Sequence, residues 1–402
     1  MKNYLFLVLS LCYAGYSYSN TAEFANPKTE EHATMSSDSA TEQLSQNIIH
    51  LNQLITKFNN TLNLDAETRD LGIDFLYDSL SLANEVFIEK SSIGSPSFVD
   101  WISPTRKVAG DNPWTRYQST MLKGDSTYEI QGNIGNIIYM GVQVYSLRNG
   151  RNIALPEKNV STPNINTDAK GNFRLSIGPD PSNDIKIDTN DYMLIIREYY
   201  ANGEMRNKKP AQYQIIQKSG DFDTPFIPSP AIRVAKANAF FTSLVTSTLD
   251  LTGQMGTDKN QSVDVNPNPD LVHALFPTTD NTYDGFYIHL NDDNEVLQLT
   301  GKIPSDLIYA SVTYYNPYYV TADYIKHKTY LTKDEIKPNQ DGSYTIYIAK
   351  KNLQGVKNVM TTAGYSDGVI AIRYLGQEAK GVEIDFDTQL IKVDEIPAED
   401  LN

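Results

Sequence analysis

Apolar residues change their spacing several times along this chain, and each change predicts a different kind of element. An apolar run from Tyr4 to Ala14 is broken only by Ser10. From Leu44 the spacing becomes helical: Leu44, Ile48, Leu51, Ile55, Phe58 and Leu62 recur every three or four residues. A second such set starts near Glu67 and carries Leu71, Phe75, Leu76, Leu80, Ala83 and Phe87. Residues 43–92 therefore read as a helical region of two amphipathic helices, packed on each other or on the domain that follows.

After Ile93 the pattern turns to alternation punctuated by Gly, Pro, Asn and Asp, as in β-structure. Tyr128 to Ile130, Ile137 to Tyr145, Phe173 to Ile177, Tyr192 to Tyr199 and Tyr213 to Ile216 are the clearest strands of a first β domain over 93–228. A proline-rich hinge, Pro225 to Pro230, leads into a helix from Ala231 to Leu251 closed by Gly253. That helix, with a loop at Asp264 to Pro269, makes a connecting region over 229–279. A second β domain covers 280–395.

The two β regions resemble each other. Asp111-Asn112 stands 21 positions before Gly132, and Asp280-Asn281 stands 21 positions before Gly301. Without a gap, Trp114 then matches Tyr283, Tyr117 matches Phe286, Tyr128 matches Leu297 and Ile130 matches Leu299. One inserted residue later, Tyr139-x-x-Val142 meets Tyr309-x-x-Val312. Lys170 to Phe173 meets Asp341 to Tyr344, and Ile195-Ile196-Arg197 meets Ala371-Ile372-Arg373. Six matches in one order imply a duplicated antiparallel unit. The expected fold is mainly β with appended helices (α+β), built from two related sandwich or jelly-roll-like domains.

Composition sets the compartment and the excluded partners. A lysine at position 2, the short apolar run and the small-x-small exit Ser17-Tyr18-Ser19 are the parts of a secretory signal peptide over 1–19. The run is too short to span a bilayer, which needs roughly 20 apolar residues. Residues 20–42, rich in Ser, Thr, Ala and Glu, read as a flexible tether. Cys12 follows Leu11 rather than the small residue that precedes a lipidated cysteine, so cleavage after Ser19 leaves a mature chain without cysteine. A secreted or periplasmic location and no integral membrane segment after cleavage are the expectations. The net charge of -15 argues against nucleic acid, which demands clustered Lys and Arg. Tyrosine is the compositional outlier, 26 against 2 Trp. It favours strands, and it also lines wet binding grooves.

Nucleophile elbows, phosphate loops, metalloprotease helices and paired-cysteine motifs are all missing. The five histidines show no metal-ligand spacing, although His289 and His327 could be neighbours in the second β domain. Asp258-x-Asn260-x-Ser262-x-Asp264 and Asp188-x-Asn190-Asp191 space oxygens as calcium loops do, but Asn and Asp are also ordinary turn residues. No metal or cofactor is expected. More suggestive are polar residues set in strand-like context. Asp111, Asn112, Arg116 and Tyr117 form one cluster, and Arg197-Glu198-Tyr199 another. Asn316, Tyr319, Asp323 and Tyr324 make a third, and Arg373 matches Arg197 in the repeat. Arginine with tyrosine and aspartate lines clefts for carboxylates or sugars, though internal pairing of Arg197 and Arg373 is the competing explanation.

An ordered set of motifs adds a resemblance. Ser103-Pro104-Thr105-Arg106-Lys107 precedes Asp111-Asn112-Pro113, followed by Gly124-Asp125-x-x-Tyr128-x-Ile130-x-Gly132 and Ile196-Arg197-Glu198-Tyr199. Asn316-Pro317, Asp323-Tyr324, Asp341-Gly342-Ser343-Tyr344 and Thr362-Ala363-Gly364 complete it. From about Leu71 to Gly376 the chain resembles the domain-of-unknown-function 1214 proteins, whose name usually attaches to the C-terminal half. The resemblance implies a largely β fold with an added helical region and no established activity. Two departures stand out. Asn358-Val359-Met360 replaces the common Asn-Trp-Leu, and Tyr365 replaces a frequent histidine, so no role of that histidine carries over.

The functional expectation is an exported protein that holds a small polar or saccharide ligand between two β domains. One alternative is a hydrolase or lyase acting on a glycan or ester, with Asp111, Glu198 or Asp323 as acid or base. Another is a structural envelope protein.

Overall fold

The computed structural model describes residues 37–401 except 93, 104, 149–150, 163, 220–226, 262–274, 377–381 and 383. The expected signal peptide with Cys12, most of the tether, His32, His273 and the Asp264–Pro269 loop lie outside the described residues. Helix α1 (Ser37–Thr61) starts inside the stretch expected to be tether. Thr41, Glu42 and Gln43, just before Leu44, are exposed and carry no apolar signal. Helix α2 (Ala66–Asn84) is capped by the Asp65 side chain, which accepts from the Thr68 N–H at 2.7 Å, and runs on into a π-helical turn, Glu85–Glu89.

The first β unit comprises β1 (Val99–Asp100), β2 (Thr115–Met121), β3 (Thr127–Asn133), β4 (Tyr139–Arg148), β5 (Arg151–Ser161) and β6 (Asn172–Gly178). It continues with β7 (Ile185–Lys186), β8 (Asp191–Tyr199), a short helix α3 (Gly203–Lys208) and β9 (Gln212–Ser219). Helix α4 (Pro230–Met255) follows; Gly253 lies inside it against the Phe58 ring, and Gly256 caps it instead. The second unit holds β10 (Asn281–His289), β11 (Glu295–Gly301), β12 (Tyr309–Tyr315) and β13 (Tyr330–Thr332). It ends with β14 (Tyr344–Ala349), β15 (Val359–Thr361), β16 (Asp367–Leu375) and β17 (Phe386–Lys392).

Sheet order makes the duplication explicit. The first unit stacks β1-β2-β8-β4-β5 on β7-β6-β3-β9, and the second stacks β10-β16-β12-β13 on β15-β14-β11-β17. Strand for strand these are the same topology, down to the parallel pairs β6/β7 and β14/β15; only β1 is extra. Gly132 faces Phe173 as Gly301 faces Tyr344, so the central matches hold. The first strand corrects the gapless alignment. Arg197 pairs with Tyr117 and Arg373 with Tyr283, so Tyr117 corresponds to Tyr283, three positions before Phe286. An odd shift reverses the face of every side chain. Phe286 indeed points into its sandwich core, whereas Tyr117 points out of its own.

Alternation then sorts the side chains. Ile130, Val142 and Ile196 fill the first sandwich; Leu299, Val312 and Ile372 fill the second. The outer faces of the β8 and β16 sheets are apolar too. There Met193, Ile195, Tyr287, Val369 and Ala371 pack with Leu51, Phe75, Phe241 and Leu244 of the helices. Each such aliphatic or aromatic side chain contributes about 1.5–3 kcal/mol on burial. The helical layer thus spans both β units and fixes how they meet. Among the described residues no helix is long and apolar enough to cross a membrane.

Candidate functional site

Arg197 and Arg373 occupy equivalent positions on the middle strands β8 and β16, both pointing outward from their sandwiches. Each is 6% exposed. On one side Arg197 faces Tyr117 and on the other Gly141; Arg373 faces Tyr283 and Ser311. Both guanidiniums lie over their cross-strand tyrosine, 5.9 Å from the Tyr117 ring centre and 5.3 Å from that of Tyr283.

Their hydrogen bonds cross between the units. Arg197 Nη2 donates to the carbonyl of Phe276, in the segment entering β10, and to the Tyr145 hydroxyl at 3.0 Å. Arg373 Nη2 donates to the carbonyl of Gly110, in the segment entering β2, at 3.2 Å. Gly110 stands seven residues before Tyr117, and Phe276 seven before Tyr283. Both adopt left-handed backbone, φ +67° and 53° respectively. Each unit's arginine therefore clasps the other unit's entry segment, the reciprocity of an approximate two-fold axis.

Tyrosines surround the axis. The rings of Tyr139 and Tyr199 are 6.1 Å apart, and those of Tyr199 and Tyr309 5.4 Å. The Tyr309 hydroxyl donates to Asn112 Oδ1 at 3.1 Å, and Asn281 Nδ2 to the Tyr199 hydroxyl at 3.0 Å. Asp111 accepts from the Thr321 N–H at 2.9 Å and from its hydroxyl. The Tyr319 carbonyl accepts from Gly110 N–H at 2.9 Å, and the Tyr319 ring lies 4.7 Å from that of Tyr315. A Cβ on Gly110 would run into the Tyr319 ring.

Burial raises the Asp111 carboxyl above its ordinary value, against the pull of Lys107, the Thr321 bonds and Arg373. Burial also pushes the Tyr319 hydroxyl up to about 12. The same burial disfavours the charge on each arginine, but the neighbouring tyrosines outweigh it and both stay protonated. Among the described residues no carboxylate lies within 4.0 Å of either guanidinium. Buried and without a partner here are Arg197 Nη1, Arg373 Nε and Nη1, the hydroxyls of Tyr139, Ser311 and Tyr315, and the acceptors Asp280 Oδ2 and Asn281 Oδ1.

Seven of the residues singled out in the sequence gather here: Asp111, Asn112, Tyr117, Arg197, Tyr199, Tyr319 and Arg373. Five do not. Arg116 and Glu198 point to the opposite face, because they alternate with Tyr117 and Arg197 along their strands. There Arg116 pairs with Asp100 at 2.8 Å and Glu198 at 3.6 Å, while Glu198 accepts from the hydroxyls of Tyr200, at 2.6 Å, and Tyr213. Asn316 is a turn residue whose Oδ1 accepts from the Tyr318 and Val320 N–H groups, which presents Tyr319 to the axis. Asp323 is exposed and caps the turn at Ile325 and Lys326. Tyr324 belongs to an aromatic group with Trp114 and Tyr330, under the Lys107 ammonium. The carboxylates Asp111, Glu198 and Asp323 therefore do not share a cleft.

Tyr139, Tyr145, Tyr283, Tyr309, Tyr315 and Phe276 complete the site and were not singled out from sequence. Five were legible in principle. Tyr283 sits across the ladder from Arg373, and Tyr139, Tyr145, Tyr309 and Tyr315 share the outward parity of β4 and β12. Elsewhere, the Asp188/Asp191 loop receives the Lys158 ammonium, 2.8 Å from Asp188, where a calcium ion would stand. His289 is held by Asp367 at 2.8 Å.

No family model and no curated protein matches the chain. Among solved structures, an uncharacterised protein from Burkholderia cenocepacia superposes with a TM-score of 0.74 at 19% identity, over 88% of this chain and 99% of that one. A protein from Vibrio parahaemolyticus matches at 12% identity and a TM-score of 0.47, over 79% of this chain and 97% of that one. The Burkholderia structure shares the two-unit β-rich fold with its helices, and the likeness concerns the fold alone.

Proposed function

We propose that this protein is an exported member of the domain-of-unknown-function 1214 family that binds a small polar ligand, a saccharide among the candidates, between its two β domains. The observation that carries this reading is the set of three unpaired nitrogens on two buried guanidiniums. Leaving a buried donor unpaired costs about 1–3 kcal/mol, and more for a charged group. A fold that keeps several of them at one interdomain axis, inside a ring of tyrosines, is arranged for a guest that satisfies them. A hydrolytic function has less support, since its candidate carboxylates lie apart.

The test is a thermal-shift screen of the purified mature protein against small polar molecules, saccharides included. Hits should raise the melting temperature in proportion to ligand concentration, as binding to the native state requires. A protein that responds to none of them, or whose hits persist when both Arg197 and Arg373 are replaced by Met in a folded variant, overturns the reading. Export has its own check: mass spectrometry should find the mature N-terminus near Asn20, and an intact Met1 in the cytosol would remove it.

A further inference from the structure

We infer that the ligand is a small carboxylate anion received on the Arg373 half of the interdomain axis, an inference that rests on the binding function proposed above. The two halves are built alike but finished differently. Arg197 is tied to two acceptors, the Phe276 carbonyl and the Tyr145 hydroxyl. That hydroxyl also lies 2.8 Å from the Pro277 carbonyl. The Phe276 ring packs on Tyr145 at 5.2 Å and on Trp101 at 5.1 Å, which fills the space beside Arg197.

At the equivalent place the second unit has a glycine, and the Tyr319 ring, 4.7 Å from that of Tyr315, packs beside it. Arg373 keeps one bond, 3.2 Å long, to Gly110, and its Nε and Nη1 have no acceptor. Tyr315, the counterpart of Tyr145, has an unpaired hydroxyl. Two guanidinium nitrogens and a phenol thus lack partners in the second unit, where at the equivalent positions the first lacks one for Arg197 Nη1 alone, and the rings of Tyr117, Tyr283, Tyr315 and Tyr319 lie about Arg373.

Charge selects the class of guest. A neutral sugar hydroxyl could accept these bonds but adds no negative charge to that of the buried Asp111 and Asp280, the carboxylates near the two guanidiniums. A carboxylate supplies one negative charge and two in-plane oxygens, the geometry a guanidinium favours. A dianionic phosphate would bring a second charge close to Asp111, whose buried carboxyl already feels Arg373.

The experiment is calorimetric titration of the full mature chain with sodium acetate, lactate and succinate, alongside inorganic phosphate and glucose. At least one carboxylate should bind saturably, and a crystal grown with it should place its oxygens on Arg373. Arg373→Gln should weaken that binding by about a hundredfold, the scale of a charged hydrogen-bond pair. Tyr315→Phe, which removes a hydroxyl nothing else uses and should fold normally, should weaken it by about tenfold. Glucose or phosphate binding in place of every carboxylate, weakened by Tyr315→Phe, would overturn the carboxylate assignment and leave the interdomain site standing. Carboxylate binding that neither variant changes would overturn the placement on Arg373. Silence from every probe, with only water on Arg373 in crystals grown at saturating carboxylate, would overturn both this inference and the binding function beneath it.

Discussion

The segments entering β2 and β10 occupy the same place in two copies of one fold, yet one brings its own aromatic ring and the other takes the ring of Tyr319 from elsewhere in the chain. Phe276 and Gly110 share a left-handed backbone, and each offers its carbonyl to the arginine of the opposite unit. Phe276 adds a ring that packs on Trp101, Tyr145 and Phe240, whereas Gly110 adds nothing and admits the Tyr319 ring. Duplication made two equivalent clasps. With Phe276 in one entry segment and Gly110 in the other, the first clasp leaves one guanidinium nitrogen without a partner and the second leaves two.

If that contrast is right, the two halves respond unequally to the same substitution. The largest effect should come from Phe276→Ala, which empties a fully packed aromatic site and should cost about 3–5 kcal/mol in urea melts. A loss under about 1 kcal/mol would mean that the Phe276 ring fills no such site. Next comes the arginine pair. Arg197→Met leaves the Phe276 carbonyl and Tyr145 hydroxyl short of a donor and should cost about 3 kcal/mol. Arg373→Met loses one long bond but also relieves the desolvation of a buried guanidinium, so it should change stability by less than about 1 kcal/mol. Equal losses would erase the asymmetry.

Smaller again is the tyrosine pair. Tyr145→Phe should cost about 1.5 kcal/mol, since its hydroxyl serves two carbonyls and an arginine, while Tyr315→Phe should be close to neutral. A reversed order, read from the same melts, would place the free donors in the wrong unit.

The smallest effect is a pH dependence. Asp111 binds its proton more tightly folded than unfolded, because burial raises its carboxyl above 3.8. The stability it contributes is therefore present below that ordinary value and lost as pH rises through the folded value. Asp111→Asn should flatten this part of the stability–pH curve. Parallel curves for the two proteins would show that Asp111 does not titrate as buried.

Much of this architecture could be read from residue order, but the reading failed at a definable point. Strand periodicity located β3, β4, β6, β8 and β9, and the matches around Gly132/Gly301 and Arg197/Arg373 found the duplication. The match of Tyr117 with Phe286 went wrong because similarity of residue type is blind to parity, and a three-residue shift turns an outward tyrosine into an inward phenylalanine. Arg116 and Glu198 were grouped with Tyr117 and Arg197 for the same reason. Neighbours in sequence are not neighbours on a strand, where successive side chains leave by opposite faces. Asn316 and Asp323 looked like site residues because the oxygens that bind ligands also close turns.

The sequence by itself determined the local and periodic features: helices from three- and four-residue spacing, strands from alternation, and two copies of a unit from the recurrence of both. These follow from backbone geometry, which depends only on nearby residues. Tertiary structure alone decided that Arg197 and Arg373 meet at one axis, each bonded to a carbonyl 79 or 263 positions away in the chain. It alone decided, too, which donors went without a partner. A hydrogen bond is satisfied in space rather than in sequence, so the free N–H groups of Arg373 exist only once the two units have packed.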